Sequence, residues 1–169
     1  MSSPGWTDAR FDAADVEEVA AALHACNAAA SFAPTVAAGR PYGSREALVA
    51  RAGEVSRALP WDEVDQALAA HPRIGDRVSG DSAEAASSRR EQSAMATADS
   101  GVAEAIVAGN REYEARFDHV FLIRASGRTP AEMLTELRRR LTHTPDQERP
   151  EVLEQLAQIT ELRVGELFS

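Results

Sequence analysis

Apolar residues recur along the chain mainly every three to four positions, the spacing of one helix face. In AADVEEVAAALHACNAA, Val16, Val19, Ala20 and Leu23 follow it. SFAPTVAAGRPYGS is interrupted by Pro34, Gly39, Pro41 and Gly43, and reads as a broken helix or a loop. Ser44 is placed to cap REALVARAGEVSRAL, Pro60 closes that helix, and the short helix WDEVDQALAA runs into His71-Pro72. GDSAEAASSRREQSAMATA is an Ala-rich helical pattern, and GVAEAIVAGNREYEARF brings Val102, Ile106, Tyr113 and Phe117 near one face. Thr129-Pro130-Ala131-Glu132 is an N-cap, a first-turn proline and a capping box, opening a helix with Met133, Leu134, Leu137 and Leu141 inward. THTPDQERP is expected as a hinge before a last helix over EVLEQLAQITELRVGELF. HVFLIRAS (119–126) is β-like but has no evident strand partner, so it is expected as an extended segment buried between helices. The pattern predicts a single all-α domain over residues 1–169, with about eight helices and one buried extended segment.

Composition narrows the function. The net charge of −9 leaves no excess of basic residues for a nucleic-acid surface, although a local Arg can still hold a small anion. A single cysteine, Cys26, excludes an internal disulfide, and no Cys/His cluster has zinc-ligand spacing. MSSPGWTDAR lacks the basic start and apolar core of a signal peptide, and no apolar run approaches the roughly 18 residues of a membrane span. A soluble, cytoplasmic protein with neither nucleic-acid nor membrane partners is expected.

Three polar features sit where a plain helical bundle would not need them. HPRIGD (71–76) breaks a helix, and the proline biases His71 away from helical backbone, projecting its imidazole from a turn. Such a His suits proton transfer; it could equally be a structural His at a helix C-terminus. Ser88, Glu91, Gln92 and Met95 share one helix face, which reads either as a recognition surface or as an ordinary charged face. Arg163 lies inside the stripe Val152, Leu156, Ile159, Leu167, either snorkelling or held inside to fix a carboxylate.

The ordered set RPYGSREAL, HP-I-G, S-x-x-E-Q (88–92), YEARFDHVFLIRASGR, LRRRL and ITELRVGEL, covering nearly the whole chain, resembles the decarboxylases of 2-oxo-4-hydroxy-4-carboxy-5-ureidoimidazoline (OHCU). The resemblance implies an all-α, typically homodimeric enzyme without cofactor or metal, which converts OHCU to (S)-allantoin and CO2 at the end of urate breakdown. It implies His71 as proton donor with Pro72 beside it. Ser88, Glu91 and Gln92 would orient the ring and ureido groups, with Glu91 also part of the catalytic set. Phe121, Leu122, Ile123, Arg124 and Ala125 would line the site largely with backbone, and Arg163 would bind substrate. Relatives often carry Cys or a small residue where this chain has Arg124. Some have an Arg near the position of Ser126, for which Arg124 or Arg128 could substitute here. Ser93-Ala94 replaces their Ala-Gly after the E-Q pair.

The implied chemistry explains the absence of a cofactor motif. OHCU carries a carboxylate and a hydroxyl on a ring carbon next to a C=N, which can accept the electron pair released with CO2. Holding the carboxylate out of the ring plane and protonating one face is then the enzyme's task. The alternatives are a non-catalytic helical small-ligand-binding protein, or a hydrolase of a related ureido or hydantoin compound using Ser88 and His71. No nucleophile-elbow motif accompanies that pair.

Overall fold

The computed structural model describes residues 5–74 and 99–168. Among them are eight helices and no strand: α1 (Asp8–Ala13), α2 (Val16–Cys26), α3 (Phe32–Ala38), α4 (Arg45–Arg57), α5 (Trp61–Ala69), α6 (Ser100–Phe117), α7 (Pro130–Arg140) and α8 (Pro145–Glu166). They fall into two compact units, Met1–Ala67 with Leu156–Ser169, and Leu68–Gln155.

In the first unit α3 packs on both α2 and α4. Val19 and Leu23 of α2 are fully buried, whereas Val16, in the first turn of that helix, is 52% exposed. The stretch expected as a broken helix or loop forms α3, followed by Arg40-Pro41-Tyr42-Gly43 with a cis Arg40–Pro41 bond and Gly43 at φ 77°. Arg40 donates to the carbonyls of Phe11, Ala14 and Ala37, capping two helix ends. Asp12 accepts from the Tyr42 and Gly43 amides at 2.8 and 2.9 Å. RPYG is thus a structural clasp. Ser44 caps α4 by accepting from Ala47 N–H. Buried Asn27 joins three elements, donating to Ser56 Oγ and Thr160 Oγ1 and accepting from Ala29 N–H.

The second unit has an apolar core of Ile74, Ile106, Tyr113, Phe117, Phe121, Ile123, Ala125, Met133, Leu134 and Leu137. α6 and α7 pack closely because Gly109 faces Leu137; a Cβ on Gly109 would lie 2.5 Å from Leu137 Cδ2. Thr129 caps α7 as expected, accepting from Glu132 N–H, but Glu132 Oε1 meets the Thr129 hydroxyl rather than its backbone N–H. α8 begins before the expected hinge ends, because Thr144-Pro145-Asp146-Gln147 forms a full capping box: Thr144 Oγ1 accepts from Gln147 N–H and Gln147 Oε1 accepts from Thr144 N–H. Pro150 therefore lies inside the helix, in its second turn, where the carbonyl it leaves unpaired belongs to exposed Asp146.

Candidate active site

The break after α5 is built as the His-Pro pair predicts. The chain leaves the helix after Ala69, with His71 N–H donating to Leu68 O at 3.0 Å, and His71 is only 8% exposed. The two residues after Pro72 are held by α6. Arg73 Nε pairs with Glu114 Oε1 at 2.7 Å, and Ile74, buried in the core, gives its carbonyl to Asn110 Nδ2 at 3.0 Å. Asn110 and Glu114 are one helical turn apart, so a single face of α6 fixes two successive residues of the turn. Among the described residues Asn110 Oδ1 is buried without a hydrogen-bond partner.

Residues 120–125 run without helix, turn or bend, and Phe121, Leu122, Ile123 and Ala125 are buried. Such a segment must satisfy its backbone without a neighbouring strand. Side chains do so. Arg140 Nη1 donates to Leu122 O at 2.7 Å, Gln155 Oε1 accepts from Arg124 N–H at 2.9 Å, and Arg128 Nε donates to Arg124 O at 3.0 Å. All three engage residues 122 and 124. Among the described residues the Ile123 N–H and C=O have no such partner. The Arg124 Nε is likewise shielded from water without an acceptor.

Arg140 is anchored in turn. It is 1% exposed, its Nε meets Glu148 Oε1 at 2.6 Å, and its guanidinium lies 4.6 Å from the Phe121 ring centroid. Glu148, also 1% exposed, accepts from Tyr113 OH at 2.7 Å and lies 3.0 Å from His143 Nδ1. Burial raises the Tyr113 pKa far above the ordinary phenol range, and the neighbouring Glu148 carboxylate adds to the rise, so the phenol remains a donor.

The structure thus brings His71, half-buried Pro72 and the 121–125 segment into one unit. Arg163, on α8 in the other unit, is 2% exposed within its apolar stripe. Ser88, Glu91 and Gln92 lie outside the described residues. Sequence reasoning missed Asn110, Glu114, Arg140 and Gln155. Arg140 was detectable: it continues the buried stripe Met133, Leu137 at the next helical step, the logic that marks Arg163. Gln155 carried no comparable signal.

The described helices, with a buried histidine at a helix break and a buried backbone segment capped by side chains, give an all-α fold with candidate chemistry in its second unit. Residues 12–165 match the family model described as OHCU decarboxylase. The chain belongs to the OHCU decarboxylase family, and is a carboxy-lyase of that type. It is 34% identical over 152 residues to the uric acid degradation bifunctional protein TTL of Arabidopsis thaliana, covering 85% of this chain but only 45% of that protein. It is 32% identical over 141 residues to the 2-oxo-4-hydroxy-4-carboxy-5-ureidoimidazoline decarboxylase of Amia calva, covering 80% and 81% of the two chains. The fold is similar to a crystal structure of OHCU decarboxylase in the presence of (S)-allantoin, with TM-score 0.74, 27% identity, and 92% and 99% of the chains covered. A crystal structure of (S)-allantoin synthase shares the fold at TM-score 0.71 and 19% identity, covering 96% of this chain and 54% of that one.

Proposed function

We propose that this chain decarboxylates OHCU to (S)-allantoin, with His71 as the proton-transfer residue. One observation carries the assignment: the family match spans residues 12–165, and within it the motif histidine is buried at a helix break braced by α6. The C–C bond to the carboxylate breaks, CO2 leaves, and the electron pair passes into the adjacent ring C=N. The nitrogen that receives the pair takes up a proton, leaving an enol. The enol hydroxyl then gives up its proton as it becomes the carbonyl, and His71 delivers a proton to the neighbouring ring carbon on one face, which sets the (S) configuration. Glu91 accepts from ring or ureido N–H groups, with Ser88 and Gln92 completing that polar edge and Pro72 beside the imidazole.

The open N–H and C=O of Ile123 suit the donor and acceptor pair of a ureido or ring amide, and buried Phe121, Leu122 and Ala125 exclude water around it. The unmatched Arg124 Nε fits a substrate carboxylate or carbonyl, a role an Arg can take where relatives carry a small residue. We read residues 1–169 as one functional domain, supported by the unbroken family match, and the enzyme as a homodimer acting in the cytoplasm. No helix among the described residues is long and apolar enough to cross a membrane.

The test is direct. OHCU generated freshly from urate is added and allantoin ellipticity followed. Rapid appearance of the (S) signal, ahead of the slow spontaneous racemic route, is expected. Positioned acid–base catalysis contributes about 10²–10⁴-fold, so folded His71→Asn should lose at least about 10² in kcat. A wild-type kcat in that variant removes His71 from the mechanism, and ammonia release in place of CO2 would make the chain a hydrolase.

A further inference from the structure

We infer that Gln155 and Arg128 are positioning residues that hold one side of the 121–125 backbone so that its other side is presented to substrate; this rests on the proposed decarboxylase site. In an extended chain the N–H and C=O of one residue point to the same side, and those of the next residue point to the other. Arg140 takes Leu122 O, Gln155 takes Arg124 N–H and Arg128 takes Arg124 O, so among the described residues these side-chain contacts all fall on the side of residues 122 and 124. These three side chains do the work of a missing neighbouring strand. The buried Ile123 N–H and C=O on the opposite side are left without a protein partner among the described residues. A buried amide and carbonyl left unpaired are costly to the fold unless something else meets them. A ligand with adjacent N–H and C=O groups does so.

Rotation of this segment would turn the Ile123 groups away and bring paired groups into their place. Gln155 prevents it without carrying charge. It is 8% exposed on α8 and reaches the segment only through its amide oxygen, at 2.9 Å from Arg124 N. Arg128 acts from the turn that follows the segment, where its own N–H donates to Ala125 O at 3.1 Å and Gly127 takes φ 79°. Neither residue is assigned to substrate here. Both are predicted to matter for binding and little for the rest of the fold.

The experiment uses the full chain, OHCU as substrate and (S)-allantoin as ligand. Gln155→Met removes the acceptor at similar volume. The expected result is a KM raised about tenfold or more and weakened (S)-allantoin binding by calorimetry, with a melting temperature within a few degrees of wild type. Gln155→Glu restores an acceptor oxygen and should recover most of the KM. Arg128→Met, at a less buried position, must move KM in the same direction, and it decides the matter if Gln155→Met does not fold. Unchanged KM and allantoin affinity in the folded variants would overturn the positioning role while leaving the decarboxylase reading intact. A wild-type chain inactive on OHCU would overturn both.

Discussion

The strongest structural wager in the second unit is the buried pair Arg140–Glu148. Both side chains are 1% exposed. Replacing Arg140 with Met strands the Glu148 carboxylate with only Tyr113 OH and His143 Nδ1, and it strands the Leu122 carbonyl entirely. Removing one partner of a buried ion pair typically costs about 3–5 kcal/mol, because the remaining charge stays desolvated. That is a large share of the roughly 5–15 kcal/mol that stabilises an ordinary domain. At about 2–4 °C per kcal/mol for a chain of this size, Arg140→Met should lower the melting temperature by about 6–20 °C. Glu148→Leu should cost about as much, since it strands Arg140 and Tyr113 OH. The double variant should cost clearly less than the sum of the two, because no buried charge is left alone. Equilibrium urea unfolding followed by helical ellipticity measures all three. Single variants that each cost less than about 1 kcal/mol, or strictly additive losses, would refute the argument that these charges are truly desolvated and coupled.

Gly109→Ala gains about 1 kcal/mol of helix propensity but drives a Cβ into fully buried Leu137, an overpacking worth about 1–3 kcal/mol, so a net loss is expected. Combining it with Leu137→Ala should give a smaller loss than the two changes summed; a stabilised single variant sinks the close-approach account. Tyr113 has a folded pKa raised above its unfolded value, so its contribution is fully present below about pH 10 and is lost as pH rises toward the folded pKa. Unfolding free energy should therefore fall by up to about 1.4 kcal/mol per pH unit from this group above pH 10, and that slope should shrink in Tyr113→Phe, as measured by urea titration at several alkaline pH values. Thr144→Ala removes the α8 cap and should cost about 1 kcal/mol in the same assay. Glu114→Gln removes the carboxylate paired with half-exposed Arg73, so stability should move by under about 1 kcal/mol while kcat on OHCU falls. An unchanged kcat would detach the α6 brace from His71.

By itself the sequence determined whatever depends on local chemistry and spacing. Thr129 and Ser44 mark helix starts because an N-cap needs only a hydroxyl and the amide three residues on. Arg163 stands out by its place in an apolar stripe, which leaves snorkelling and burial open, and residues 119–126 as an extended segment by their β-like run among helices. His71 was marked because a proline must end the helix behind it. The same rules reach Thr144-Pro145-Asp146-Gln147, whose capping box outweighs the breaker residues around it. Tertiary structure decided what depends on the partner opposite. Stripe position singles out Arg140 from Arg138 and Arg139, but it does not name the partners of any of the three. Arg139 joins Glu136 and Glu151 at the surface, while Arg140 is buried on Glu148 and Leu122, because the elements packed opposite α7 set which groups each guanidinium meets. Likewise, nothing local to Gln155 announces that its amide meets Arg124 N–H across 31 residues of chain. An extended segment can find backbone partners only from side chains that the fold brings to it, and their identity is fixed where elements meet.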